Sequence, residues 1–162
     1  MANWPFTQGI HDIGNGLYGY VQPDGTWGWS NAGLIASRGE TLLVDTLMSV
    51  PLTREMLDRF KAKVPEAAKI DRLVNTHANP DHFFGNGLVA DAEIIGTVEA
   101  KKEMAGFNPK ALAALADNYQ NMGDAGAFLY ETMGRKFDFS GVDEVTLPNR
   151  TFETHLSLMV GD

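Results

Sequence analysis

The run Thr76-His77-Ala78-Asn79-Pro80-Asp81-His82 places two imidazoles, a carboxylate and an amide within seven residues. Imidazole and carboxylate are the ligands of zinc, iron and manganese. The run follows an apolar, strand-like stretch, Ile70 to Asn75. A loop at a strand's end can gather side chains on one point, whereas a strand alternates them between two faces. The chemistry suggested for His77, Asp81 and His82 is therefore ligation of a divalent cation. The competing reading is a polar loop, with Asp81 capping the next helix and the imidazoles bonded to backbone. Asn79 divides in the same way. As a ligand its amide oxygen is a neutral, hard, weak donor that favours iron or manganese over zinc. As a non-ligand it makes an Asx-turn before Pro80. The chain has four histidines. His11 and His155, outside the run, read as surface or strand-edge residues.

The elements that must position this loop are legible on either side of it. Residues 10–45 read as strands. Gly16 to Gln22 alternates weakly, Pro23-Asp24-Gly25 is a turn signal, and Trp27 to Ala36 and Thr41 to Asp45 flank the turn Ser37-Arg38-Gly39-Glu40. The pattern predicts an antiparallel meander. Ser49 caps a helix with Pro51 in its first turn. Leu52, Met56, Leu57, Phe60 and Val64 recur at helical spacing and mark its buried face, and Pro65 helps end it. Glu93 to Thr97 is the next strand. Residues 98–137 read as two or three helical segments, with Pro109 opening the second and Gly123 separating the third. Met104, Phe107, Leu112, Leu115, Tyr119, Met122, Phe128, Leu129 and Met133 supply the apolar faces. The stretch is longer than a strand-to-strand crossover needs and is expected to be an insertion near the site, a lid. Asp138 to Asp143 reads as a turn, and Thr154 to Val160 alternates as a strand.

Composition narrows the classes. The 162 residues suit one domain, and 44% apolar residues suffice for a core. A net charge of −8 and a pI near 4.9 argue against nucleic acid, which needs a basic footprint, and against an anionic membrane surface. Cysteine is absent, so no disulfide framework or thiolate ligand exists. That composition suits a reducing cytoplasm. Met1 to Phe6 lacks the basic-then-apolar pattern of a signal peptide, and no apolar run approaches the ~18 residues of a membrane span.

With these residues in view, the chain resembles the metallo-β-lactamase superfamily. That family's signature is H-x-H-x-D-H at a strand's end. Here it reads His77-x-Asn79-x-Asp81-His82, with Asn79 in place of the second His. Leu42-Leu43-Val44-Asp45-Thr46 resembles the strand and Asp before the family's first helix. Ser30-Asn31-Ala32-Gly33-Leu34-Ile35 resembles the core strand before that, and Gly85-Asn86 fits the Gly-rich start of a short helix. The resemblance implies an α/β (α+β) fold, an αββα sandwich with a mixed sheet flanked by helices. It covers residues from about Ile10 to Asp162. The family sandwich has two similar halves, and its second half adds a third His in a Gly-x-x-His-Thr-like loop, a bridging Asp and a final His. No such segment is found here. Residues 1–162 are therefore expected to form a single incomplete domain, the N-terminal part of such a fold. A truncated product, one piece of a split protein and one of two complementary chains are all consistent with this.

The resemblance also implies roles. His77 and Asn79 would serve one metal position, and Asp81 and His82 the other. A mononuclear site at the second position is a live alternative. The related flavodiiron branch has Glu at the Asn79 position and binds iron. Asp45 would hydrogen-bond the ligands from behind rather than bind metal, although a plain helix-leading Asp fits as well. Trp27 and Trp29, with Tyr18 and Tyr20, would flank a hairpin that overhangs the pocket, or simply pack the strands. Phe83 and Phe84 would line the pocket or seat the next helix.

The expected function is that of a metal-dependent hydrolase. It would act on an ester, lactone, thioester or amide-type carbonyl through metal-bound hydroxide, with one or two zinc ions, or iron or manganese. Asp81 would hold metal and orient the nucleophile or shuttle its proton. Two readings compete with it: an iron-dependent redox or oxygenase-type member, and a non-catalytic fragment needing a complementary chain. Half a sandwich exposes an inner sheet face and an unpaired edge. The chain is thus expected to bind a complementary C-terminal polypeptide or to self-associate, and to be inactive alone.

Overall fold

The computed structural model describes residues 7–22, 29–131 and 138–161. Its frame is one seven-stranded sheet in sequence order. Strands β1 (Gly9–Gly14), β2 (Leu17–Val21), β3 (Ala32–Ser37) and β4 (Glu40–Val44) pair antiparallel, which is the expected meander. Strands β5 (Arg72–Val74), β6 (Glu93–Thr97) and β7 (Arg150–Phe152) then add in parallel. Parallel pairing requires crossovers. Helix α1 (Val50–Lys63) supplies the first and α2 (Pro80–Phe83) with a 3₁₀ segment, Phe84–Val89, the second. The third holds α3 (Val98–Met104), α4 (Pro109–Asp117) and α5 (Gly123–Leu129).

Helix α1 forms as its residues predict. Ser49 Oγ accepts from Leu52 N at 3.4 Å, and a proline occupies the first turn. Met56 and Phe60 point into the sheet with no exposed surface, against Tyr20, Leu34, Leu43, Leu73 and Ile94. Burying each such side chain contributes about 1.5–3 kcal/mol. A second cluster joins Ala78, Phe83 and Phe84 to Ala100, Met104 and Val142, with Phe107 and Leu112 packed against it. The third crossover is thereby seated on the segment that carries the candidate ligands.

Helices α3 to α5 fall where the sequence places them, with Asn108 capping α4 through Ala111 N. Their outward faces are more apolar than expected: Leu115, Met122 and Phe128 are exposed, Phe128 to 71%. Met133 lies outside the described residues.

The expected strand at 154–160 is a correction. The ladder to β6 is made by Arg150–Phe152, and residues 154–160 pair with no strand among the described residues. The alternation is nonetheless real, since Leu156, Leu158 and Val160 are half-buried and their neighbours exposed. The physical reason lies in the partner. Strand β6 ends at Thr97, which already pairs with Phe152, so the later residues have no backbone to join.

Candidate metal centre

In open α/β sheets, sites form beyond the carboxyl ends of parallel strands. Here β4 and β5 run in register, Val44 beside Val74, so the residues that follow them are neighbours. Asp45 N donates to Val74 O at 2.9 Å. The Asp45 backbone is left-handed, φ 60°, a conformation uncommon outside glycine but tolerated by Asp. Such backbone concentrates at functional sites. It turns a buried carboxylate, 4% exposed, toward the loop after β5.

That carboxylate accepts three hydrogen bonds. Thr76 N donates to Oδ1 at 2.7 Å, Thr76 Oγ1 to Oδ2 at 2.6 Å, and His82 Nδ1 to Oδ2 at 2.9 Å. The Thr76 hydroxyl also lies 2.8 Å from His77 Nδ1. The His77 and His82 rings stand 4.1 Å apart between centroids. On its far side His82 turns Nε2 toward Asp81 Oδ2 at 3.4 Å. Asp45, His77 and His82 offer ligand atoms that all lie within 4.8 Å of one another.

The donor chemistry fits a divalent cation. Two donors each about 2.1 Å from one tetrahedral ion lie roughly 3.4 Å apart, the separation of His82 Nε2 and Asp81 Oδ2. Asp45 is close enough to ligate, but its oxygens are engaged by three donors. Asp81 is aimed at the unanchored nitrogen of His82. Burial opposes charging of His82, yet the hydrogen bond to Asp45 and the charges of Asp81 and Asp45 outweigh it and raise its pKa above 6.5. The same field attracts any cation.

A polar framework holds the loop rigid. The His82 carbonyl accepts from Thr46 N at 3.0 Å and from Asn75 Nδ2 at 3.1 Å. Asn75 and Asn86 exchange amide hydrogen bonds at 3.2 and 2.8 Å, and Asn86 reaches the Thr146 carbonyl at 3.0 Å. Ser30 Oγ donates to the Asp81 carbonyl at 2.6 Å and ties the start of β3 to the loop. Gly85 follows α2 where only hydrogen fits, because a Cβ there would stand 1.9 Å from Thr53 Oγ1. No buried side-chain nitrogen or oxygen among the described residues lacks a partner, as a stable polar network requires.

The residues singled out in the sequence fall as follows. His77 and His82 come together with Asp45, while Asp81 approaches His82 alone, at 3.4 Å. Asn79 is exposed and forms the N-cap of α2 through its backbone. Its side chain makes no capping bond, so the expected Asx-turn is not formed. His11 bonds to Thr7 O and His155 to Ser157 Oγ, both away from the cluster. Of the two roles expected of Phe83, the structure favours seating α2 over lining a pocket: it has no exposed surface and packs edge-on against Phe84 and Phe107. Trp29 is half-buried. Trp27 and the turn at Pro23-Asp24-Gly25 lie outside the described residues. Sequence reasoning missed Ser30, Asn75 and Thr76 as framework. Their polarity at the end of apolar strands was the available signal.

The metallo-beta-lactamase superfamily model matches residues 25–156. The chain belongs to that superfamily. Its mixed sheet flanked by helices is the superfamily's α/β sandwich architecture. Among solved structures, a metallo-beta-lactamase from Pontibacter korlensis is similar with a TM-score of 0.58 at 15% identity, over 96% of this chain and 57% of that one. The Rm3 metallo-beta-lactamase gives 0.52 at 15% identity, over 61% of this chain and 36% of that one. A metallo-beta-lactamase from Hirschia baltica gives 0.50 at 20% identity, over 59% and 45%. At these identities the likeness speaks for fold alone. The matched part spans between 36% and 57% of those superfamily members. No curated protein matches the chain. No helix among the described residues is long and apolar enough to cross a membrane.

Proposed function

We propose that this chain carries the metal-binding half-site of a hydrolase acting on a carbonyl substrate, an ester, lactone, thioester or amide. The observation that carries the reading is the posture of His82. Its Nδ1 is anchored on buried Asp45 while Nε2 faces Asp81 at a separation suited to shared ligation. His77, Asp81 and His82 hold the cation, zinc in the first instance, and Asp45 orients them. When bound, such a cation lowers the pKa of water from ~15.7 toward ~7 and so supplies a nucleophile at neutral pH. Asp81 holds the metal and takes part in moving the proton of the attacking water. The net charge of −8 favours an uncharged substrate over a phosphodiester.

Residues 98–137 serve as the lid in this reading. Its support is the packing of Met104 and Phe107 against Ala78 and Phe83 of the ligand loop. Trp27 and Trp29 take the apolar part of the substrate in this reading. A complementary C-terminal polypeptide or a second copy of the chain is the partner in this reading, as the chain spans 45% and 57% of two solved relatives. A cytoplasmic setting suits a chain without cysteine. A second reading, an iron-dependent redox or oxygenase-type member, is favoured by an oxygen donor at Asn79, an exposed residue two positions before Asp81.

Dialysis of the full chain against zinc, iron and manganese, followed by elemental analysis, tests the site. Wild type is expected to retain metal, and His77→Ala and His82→Ala to lose it. Unchanged metal content in both variants would refute the reading. Preferential retention of iron with a visible absorption band would favour the second reading over the first.

A further inference from the structure

We infer that Thr76 is a positioning residue that fixes the tautomer of His77, so that one buried acid, Asp45, sets both imidazoles of the centre. The inference rests on the metal reading above and follows from counting protons. The Asp45 carboxylate can only accept. Thr76 Oγ1, 2.6 Å from Asp45 Oδ2, therefore spends its single proton on that bond. What remains on the hydroxyl oxygen is acceptor capacity. His77 Nδ1, 2.8 Å away, must then be the donor. A neutral imidazole with its proton on Nδ1 carries its lone pair on Nε2. The chain of donors thus runs from His77 Nδ1 to Thr76 Oγ1 to Asp45 Oδ2.

His82 reaches the same oxygen directly, from Nδ1 at 2.9 Å. Both rings are accordingly anchored through Nδ1 and present Nε2. The arrangement is asymmetric: His82 is set by a carboxylate, His77 through an intervening hydroxyl. Loss of the hydroxyl frees His77 alone. Thr76 also holds Asp45 Oδ1 through its backbone N–H at 2.7 Å, a bond that any side chain at this position preserves. Thr76 is exposed at the surface of the loop. Removing its hydroxyl therefore disturbs no packed core, and the effect on His77 can be read in a folded chain.

The test is long-range ¹H–¹⁵N correlation of the imidazoles in the metal-free full chain at a pH of about 8, above the ordinary imidazole range, together with a zinc titration. Wild-type His77 is expected to carry its proton on Nδ1. Thr76→Val is expected to release that preference, leave His82 unchanged and weaken zinc binding by about 10–100-fold, the usual effect of losing an outer partner of a ligand. Thr76→Ser is expected to restore both signals. A wild-type His77 protonated on Nε2 would overturn the inference. A Val variant with unaltered His77 tautomer and zinc affinity would do so too. If wild type binds no zinc, the metal reading fails, and the His77 tautomer in wild type and Thr76→Val decides this inference alone.

Discussion

Replacing Asp45 by Asn probes the centre most sharply, because it keeps shape and changes only charge and protons. Asn tolerates the left-handed backbone that position 45 adopts, φ 60°, so the strand exit survives. Its amide oxygen can still accept from Thr76 N, as Oδ1 does at 2.7 Å. The other terminal atom becomes an NH₂ facing two groups that formerly donated to it, the Thr76 hydroxyl and His82 Nδ1. Both must reverse. Thr76 then donates to His77 Nδ1, and His82 Nδ1 becomes an acceptor. Each imidazole moves its proton to Nε2, the atom that would hold the metal. The logic is that of the Asp→Asn change in a serine protease triad, where geometry survives and the tautomer is wrong.

The magnitudes separate stability from binding. Three charge-assisted hydrogen bonds, worth about 1.5–3 kcal/mol each, become neutral ones worth about 0.5–1.5 kcal/mol. The fold should lose roughly 3 kcal/mol, a fall in Tm of about 6–12 °C for a chain of this size. Zinc binding should suffer far more. With an outer partner lost at two ligands, at about 10–100-fold each, the Kd should rise by about 10²–10⁴-fold. Chelator competition and a thermal melt on the same samples provide the assay. A variant that melts lower but binds zinc like wild type would refute the argument, since Asp45 would then brace the fold without setting the ligands.

Other expectations are simpler. Gly85→Ala pushes a Cβ to 1.9 Å from Thr53 Oγ1, which is buried and bonded to Leu47 N, and overpacking of this kind costs about 1–3 kcal/mol; an unchanged urea midpoint would contradict it. Asp71 is held below its ordinary pKa of 3.8 by the hydrogen bond from Lys69, against opposing burial and with help from the backbone and hydroxyl of Thr41. A lowered folded-state pKa contributes stability above the unfolded value and loses it as pH falls through the folded one. Asp71→Asn should therefore flatten the acid limb of the stability curve below about pH 4 and leave its shape near neutrality unchanged; an acid limb identical to wild type would exclude this carboxylate. Ile13, 68% exposed, and Leu17 beside it on the β1–β2 hairpin present apolar surface near an unpaired edge. Light scattering of the isolated chain should show self-association that Ile13→Lys reduces, and a monomer at high concentration would rule this out.

How much of this was legible in the sequence depended on the distance between partners. His77 and His82 sit on one short loop after one strand, so their approach could be read from spacing. Asp45 lies 31 residues before Thr76. Nothing in spacing links the two, and its place came from family resemblance. The role of Thr76 was invisible for a different reason. A hydroxyl's function is fixed by the direction of one proton, and that direction depends on a carboxylate contributed by another strand. The misplaced strand at 154–160 shows the converse limit. Period-two alternation reports that one side of a segment is partly covered, as Leu156, Leu158 and Val160 are. It does not report whether a neighbouring backbone has free hydrogen-bonding groups, and β6 has run out by then.

The register of β4 against β5 therefore matters more to the centre than any single ligand. Leu43 pairs with Leu73 and Val44 with Val74, and the first residues past that ladder are Asp45 and the Asn75-Thr76-His77 run. Side chains alternate along a strand, so a slip of one residue would turn Leu43, buried in the first core cluster, to the opposite face. It would also carry Asp45 away from Thr76 and His82. The apolar packing of Leu43 and Leu73 against Met56 and Phe60 forbids that slip. The same contacts that stabilise the sheet thus hold an acid from one strand against the loop delivered by the next, bonded to His82 directly and to His77 through the Thr76 hydroxyl.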